Sequence, residues 1–154
     1  MNKISVVMIG PHDWAWVDCM RLLESEADLC VLGRVGNMLE ALRIAAHRRL
    51  DVIVVESRLI DKLPTQVVYQ LHDLNPLTGI LVVADHVGEY EVASALSFGA
   101  NGILGRNQLA TYVVRAIRAL HNGEAWIPRE LVGTVVGSLI DYNRGRTTAA
   151  RKYH

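Results

Sequence analysis

Apolar residues fall into five short runs, separated by stretches in which they recur at helical spacing. The runs at 4–9, 29–35, 51–56, 79–84 and 102–104 predict strands, and the intervals predict helices near 13–26, 37–48, 64–73 and 88–98. A further helix is predicted over 107–121, after the last run. Met38, Ala41, Leu42 and Ala45 share one helix face in the second interval. Leu109, Tyr112, Val113, Ala116, Ile117 and Leu120 do the same over three turns of the fifth. Asn37 and Asn107 are placed to act as N-caps, accepting orphan backbone N–H groups. Asn122-Gly123 ends the fifth helix, with Gly able to take the left-handed cap conformation.

Five strands alternating with five helices imply an α/β fold, a parallel sheet covered on both faces. Right-handed crossovers make that sheet doubly wound. No segment repeats and none is low in complexity. A sixth helix is expected after Pro128, with Leu131, Val132, Val135, Val136, Leu139 and Ile140 as a wide apolar stripe and Gly133 and Gly137 on an adjoining face. It reads either as a helix lying on the domain's own surface or as an interdomain or dimer helix. The pattern collapses after Asp141, so the chain divides into a domain at 1–123, a C-terminal helix at 124–141 and a basic flexible linker at 142–154. A basic nucleic-acid arm is the other reading of that tail.

Composition narrows the function. Of the 154 residues 51% are hydrophobic, enough for a core without disulfides or metals, and the net charge is zero. No general attraction to nucleic acid or anionic membrane follows. The charge is uneven, however: outside Arg144, Arg146, Arg151 and Lys152, twelve Lys and Arg face sixteen Asp and Glu. Cys19 and Cys30 lack metal spacing and read as buried reduced thiols. The first apolar run is too short for a signal peptide or a membrane span, so a soluble, cytoplasmic protein is expected. The six histidines, His12, His47, His72, His86, His121 and His154, have no ligand spacing, and neither a zinc site nor any cofactor is expected. Gly33-Arg34-Val35-Gly36 is no phosphate loop, and no Ser sits in a nucleophile elbow. Trp14 and Trp16, two apart at the start of the first helix, cannot share a face. One is expected on the core, leaving the other as a candidate contact for a partner or ligand.

Chemistry in an open α/β sheet sits beyond the carboxyl ends of the strands. The third strand delivers Glu56 there, whereas the first ends in Gly10-Pro11 and brings no carboxylate.

In this order and spacing, several segments resemble the receiver domain of response regulators, specifically that of NarL/FixJ (LuxR-like) transcription regulators, over about residues 3–140. They are Ile4 to Ile9 followed by His12, Leu22-Leu23-Glu24, Val31-Leu32-Gly33, Asn37 to Ala41, and Asp51 to Val55. Phe98-Gly99-Ala100-Asn101-Gly102, the most specific, is followed by Ala116 to Ala119, Gly123-Glu124 and Ile127-Pro128. The resemblance implies a CheY- or flavodoxin-like sheet of order 2-1-3-4-5. It also implies a pocket that holds Mg²⁺ with an acidic pair after the first strand, here Gly10 and Pro11. The phosphoacceptor position is Glu56, the hydroxyl position is Ala84 and the lysine position is Arg106. Every one of these departs from the working pattern.

The departures remove the chemistry. Mg²⁺ needs carboxylate oxygens in near-octahedral array, and Pro11 lacks even an N–H to offer an anion. Phosphoryl transfer depends on positioning and charge neutralisation, which the metal supplies. Glu56 is one methylene longer than Asp, and Ala84 has no hydroxyl. Asp85 is expected to point elsewhere if Ala84 faces the pocket. Arg106 is expected to pair with Glu56 through its planar fork; alternatively both residues are relics of a lost site. The chain therefore reads as a non-enzymatic, phosphorylation-independent pseudo-receiver that regulates and dimerises, with no metal. A DNA-binding helix-turn-helix domain would follow it in the natural protein, and this chain itself lacks a recognition helix. A pseudo-receiver sensing a small-molecule effector in the vacated pocket, and a stand-alone adaptor working through protein contacts, are the other two readings.

Overall fold

Parallel strands β1 (Ile4–Ile9), β2 (Leu29–Val35), β3 (Val52–Glu56), β4 (Gly79–Ala84) and β5 (Gly102–Gly105) form one sheet of order β2-β1-β3-β4-β5. This computed structural model describes residues 2–11, 13–60 and 66–152; the side chains of Trp14, Ser138, Tyr142 and 145–152 lie outside that description, as does His12. The helices are α1 (Trp14–Glu24), α2 (Met38–His47), α3 (Ser57–Ile60), α4 (Gln66–Leu74), α5 (Glu89–Phe98), α6 (Leu109–His121) and α7 (Arg129–Lys152). The doubly wound sheet and its strand order are as the sequence leads one to expect. The single turn α3 was not anticipated, being too short to show a period.

The pleat divides the core in two. Ile9, Ile53, Val55, Val82 and Ala84 face one layer, which holds α2, α4 and α5 residues such as Met38, Leu71 and Val92. Met8, Val54, Val83 and Leu104 face the other, with Trp16 and Leu23 of α1 and Val113 and Ile117 of α6. Strands buried on both faces need apolar residues at nearly every position, which is why their runs are continuous rather than alternating. Cys19 is buried there, and desolvation pushes its thiol up to about 12. Cys30 is half-buried, and both cysteines are free.

The Phe98-Gly99-Ala100-Asn101-Gly102 segment has a direct physical basis. Gly99 caps α5 at φ 110°, in the left-handed region. A Cβ there would also lie 3.0 Å from Val68 Cγ1. Asn101 Oδ1 accepts the Ile80 N–H at 2.9 Å and so joins the start of β4 to that of β5. Gly99→Ala is expected to cost about 1–2 kcal/mol, the penalty of placing a Cβ in left-handed backbone, read as a lower urea midpoint at unchanged slope.

Three boundaries differ from those expected. Asn37 caps α2 through Glu40 N at 3.0 Å, but Asn107 caps nothing, because a 3₁₀ turn (Arg106–Gln108) precedes α6 and Gln108 takes the cap position. A tight turn there satisfies the first donors without a side chain. The segment after Gly123 does not leave the domain: Trp126 bridges to Gly102, and Ile103 N donates to Trp126 O at 2.9 Å. Finally, α7 runs to Lys152, through most of the stretch expected as a flexible linker. Extending an existing helix costs far less than nucleating one, and Ala, Arg and Lys are good helix formers. Its inner stripe, Leu131 and Val135, packs on the α5 side of the core, while Val132, Val136, Leu139 and Ile140 stay exposed. Among the described residues, no helix is long and apolar enough to cross a membrane.

Candidate functional site

Glu56 ends β3 and is almost fully buried, at 2% exposure. A carboxylate so placed must be paired and hydrogen-bonded, and this one is. Arg58, two residues on in α3, donates Nε at 3.1 Å and Nη2 at 3.0 Å to Oε1. Oε2 accepts the indole N–H of Trp16 at 3.1 Å and the Nη2 of Arg106.

Arg106 is the hub of the site. Its Nη2 binds Glu56, its Nη1 donates to Asp13 Oδ2 at 3.1 Å, and its Nε donates to Asp85 Oδ1 at 2.9 Å. One guanidinium thus holds three carboxylates: Glu56 ending β3, Asp85 just after β4 and Asp13 before α1. Desolvation alone would lower its pKa; the hydrogen bond and charge of Glu56, with Asp85 and Asp13, outweigh that and hold it above its ordinary value. Arg58 reaches Asp85 more loosely, at 4.0 Å.

These contacts overturn part of the expectation from sequence. Negative groups do gather at this edge: two arrive from outside the expected positions, and a guanidinium occupies their centre. Asp13 is the N-cap of α1, accepting Trp16 N at 3.1 Å through Oδ1 while Oδ2 serves Arg106. Asp85 would point away only if Ala84 faced the pocket; Ala84 does not, and Asp85 turns in. The register pairs Glu56 with Val83, so residues 83 and 85 share the Glu56 face and Ala84 takes the other. Ala84 accordingly packs in the opposite core layer and contributes nothing to the cluster.

Gly10 lies beside Glu56, and its missing side chain has been replaced by another group. A Cβ on Gly10 would come within 2.7 Å of Trp16 Cε2 and 2.8 Å of Cζ2. The Trp16 indole therefore fills the space over the end of β1. Being fully buried, Trp16 is the tryptophan that packs inside and offers no surface to a partner; the side chain of Trp14 is outside the described residues. Pro11 is exposed at the rim of an adjoining cleft that the buried Gly10 and the exposed Arg58 also line. The structure thus brings Gly10, Glu56, Arg106 and Trp16 together, leaves Ala84 aside and adds Asp13, Arg58 and Asp85. Asp13 carried a sequence signal, since Asp before a helix is a strong N-cap, but that signal says nothing of its second oxygen. Among the described residues, no group of three or more His, Cys, Asp or Glu is arranged to hold a metal ion.

The fold and the carboxyl-end cluster define a receiver-type α/β domain in which a fixed cation stands among the acidic groups. No family model matches the chain. It is 25% identical over 140 residues to the transcriptional regulatory protein LiaR of Bacillus subtilis (strain 168), covering 88% of this chain and 64% of that protein. It superposes on the isolated REC domain of RcsB from Salmonella enterica serovar Typhimurium with a TM-score of 0.72 at 15% identity, covering 86% of this chain and 98% of the other. A LuxR-family two-component response regulator from Aurantimonas sp. SI85-9A1 gives 0.73 at 17% identity, covering 90% and 99%. The chain has the receiver fold, and its homologues are response regulators of the LuxR/NarL type. It spans less than two thirds of the length of the curated relatives it matches.

Proposed function

We propose that this chain is a phosphorylation-independent pseudo-receiver, the regulatory and dimerisation part of a cytoplasmic transcription regulator that contacts DNA through a further domain. One observation carries the reading: Arg106 occupies the centre of the three carboxylates. A divalent cation would have to displace a guanidinium that makes three charge-assisted hydrogen bonds. The Glu56 oxygens are likewise engaged by Arg58, Trp16 and Arg106, so neither is free to attack a phosphorus. The chain is accordingly not an enzyme of its own phosphorylation. The relatives support the transcriptional part, since LiaR is a transcriptional regulatory protein and DevR/DosR of Mycobacterium tuberculosis a DNA-binding transcriptional activator. Pairing is supported by RcsB, which has been captured as dimers bound to DNA.

A pocket whose charges are already satisfied holds one conformation without a kinase. Acetyl phosphate or beryllofluoride with Mg²⁺ is expected to leave the amide NMR spectrum and the intact mass unchanged. Mg²⁺-dependent shifts around Glu56, or a stable gain of one phosphoryl group, would show a working phosphoacceptor and end the proposal.

A further inference from the structure

We propose that the cleft beside Glu56 binds a small organic carboxylate, clamped between Arg34 and Arg58. The cleft measures about 440 Å³ and its walls are formed by Gly10, Pro11, Gly36, Leu59, Arg34 and Arg58, together with Glu56. That volume falls within the range of small-molecule sites, about 300–1,000 Å³. It lies past the carboxyl ends of the strands, where open α/β sheets bind ligands.

The charge pattern selects the ligand. Arg34, at the end of β2, is half-buried and donates Nη1 to the Gly10 carbonyl at 2.9 Å. Among the described residues no carboxylate pairs with it. A guanidinium has five N–H donors, and partial desolvation without a counter-ion is unfavourable, so this group calls for an anion. Arg58 supplies a second cation at the same cleft: it is 69% exposed, and its partner Glu56 is already shared with Arg106. Gly10, Pro11, Gly36 and Leu59 offer little polarity, and Pro11 has no N–H. They suit an apolar body. A planar carboxylate matches the guanidinium fork, and its single charge suits a cleft where Glu56 stands close by. A dianionic phosphate would meet more repulsion from Glu56, with no metal to offset it.

This inference is independent of phosphorylation, because its test uses neither Mg²⁺ nor a phosphodonor. The ¹⁵N-labelled chain is titrated with sodium benzoate and sodium hexanoate, and in parallel with benzamide and inorganic phosphate. At least one carboxylate is expected to give saturable shifts at the Gly10, Gly36 and Leu59 amides. Benzamide and phosphate are expected to bind at least about tenfold more weakly, the scale of one lost charge-assisted bond. Arg34→Gln is expected to weaken the carboxylate by a similar factor, and Arg34→Lys to recover most of it. Absence of saturation with both carboxylates, equal binding of benzamide, phosphate binding as tightly, or an Arg34→Gln variant that binds like the parent would each overturn the proposal. If Arg34→Gln does not fold, Leu59→Glu leaves the Arg34–Gly10 bond in place and sets a like charge at the cleft. Unchanged carboxylate binding by that variant would equally overturn it.

Discussion

Arg106→Ala is expected to destabilise the fold by about 3 kcal/mol, at the lower end of the range for breaking a buried pair. Glu56 stays buried after the change and loses one of its two cationic partners, keeping Arg58 and the Trp16 indole. Asp13 and Asp85 lose their bonds too, but they are 40% and 64% exposed, and water replaces most of what they lose. The variant should also acquire a property that the parent lacks. Loss of the guanidinium leaves Asp13, Glu56 and Asp85 around one vacated position with only Arg58 opposing them. They are not arranged to hold a metal in the parent, but drawing together on a hard divalent ion would offset their repulsion in the variant. Millimolar Mg²⁺ is expected to raise the melting temperature of the variant and leave the parent unchanged, because only the folded variant binds. Arg106→Lys should fall between the two, since a single ammonium cannot reproduce the three-pronged fork. A loss under about 1 kcal/mol, or a Mg²⁺ response equal in parent and variant, would remove Arg106 from the centre of the account.

Trp16→Ala is expected to cost more, about 3–5 kcal/mol, the usual penalty for deleting a large buried aromatic side chain. The indole is fully buried, fills the space over Gly10 and donates to Glu56. The same geometry predicts a coupling. Gly10→Asp alone brings a Cβ within 2.7 Å of the indole carbons, so restoring an acid at the end of β1 should overpack the site by about 1–3 kcal/mol. Removing the indole makes room for it. Urea unfolding of the parent, both single variants and the double variant should therefore give a double variant more stable than the sum of the single losses, by about 0.5–3 kcal/mol. Strict additivity would mean that the indole and the absent side chain do not compete for the same space.

The phosphorylation independence proposed for this chain rests on occupancy rather than on missing acid. A receiver that binds Mg²⁺ needs negative oxygens with room for the ion. Here Asp13, Glu56 and Asp85 supply the oxygens, and Arg106 and Trp16 take up the room. A count of acidic residues at the strand ends misses this because Asp13 reaches the site from the cap of α1.

The alternation of apolar runs with helical spacing was sufficient for the fold class. A parallel sheet buried on both faces leaves continuous apolar strands, and right-handed crossovers leave few ways to connect them. Glu56 and Gly10 could be singled out because strand ends are where side chains of an open sheet converge, and Arg106 through the resemblance to receiver domains. What the cluster consists of was decided by three-dimensional relations between distant segments. The pairing of Glu56 with Val83 turned Asp85 in and Ala84 out, a one-residue matter of register that alternation within a single strand cannot reveal. The packing of α1 on the sheet set one tryptophan over Gly10 and gave the capping Asp13 a second partner 93 residues away. The continuation of α7 to Lys152 likewise depends on a helix already seated on α5, since a polar segment without an apolar face has no periodicity to announce it.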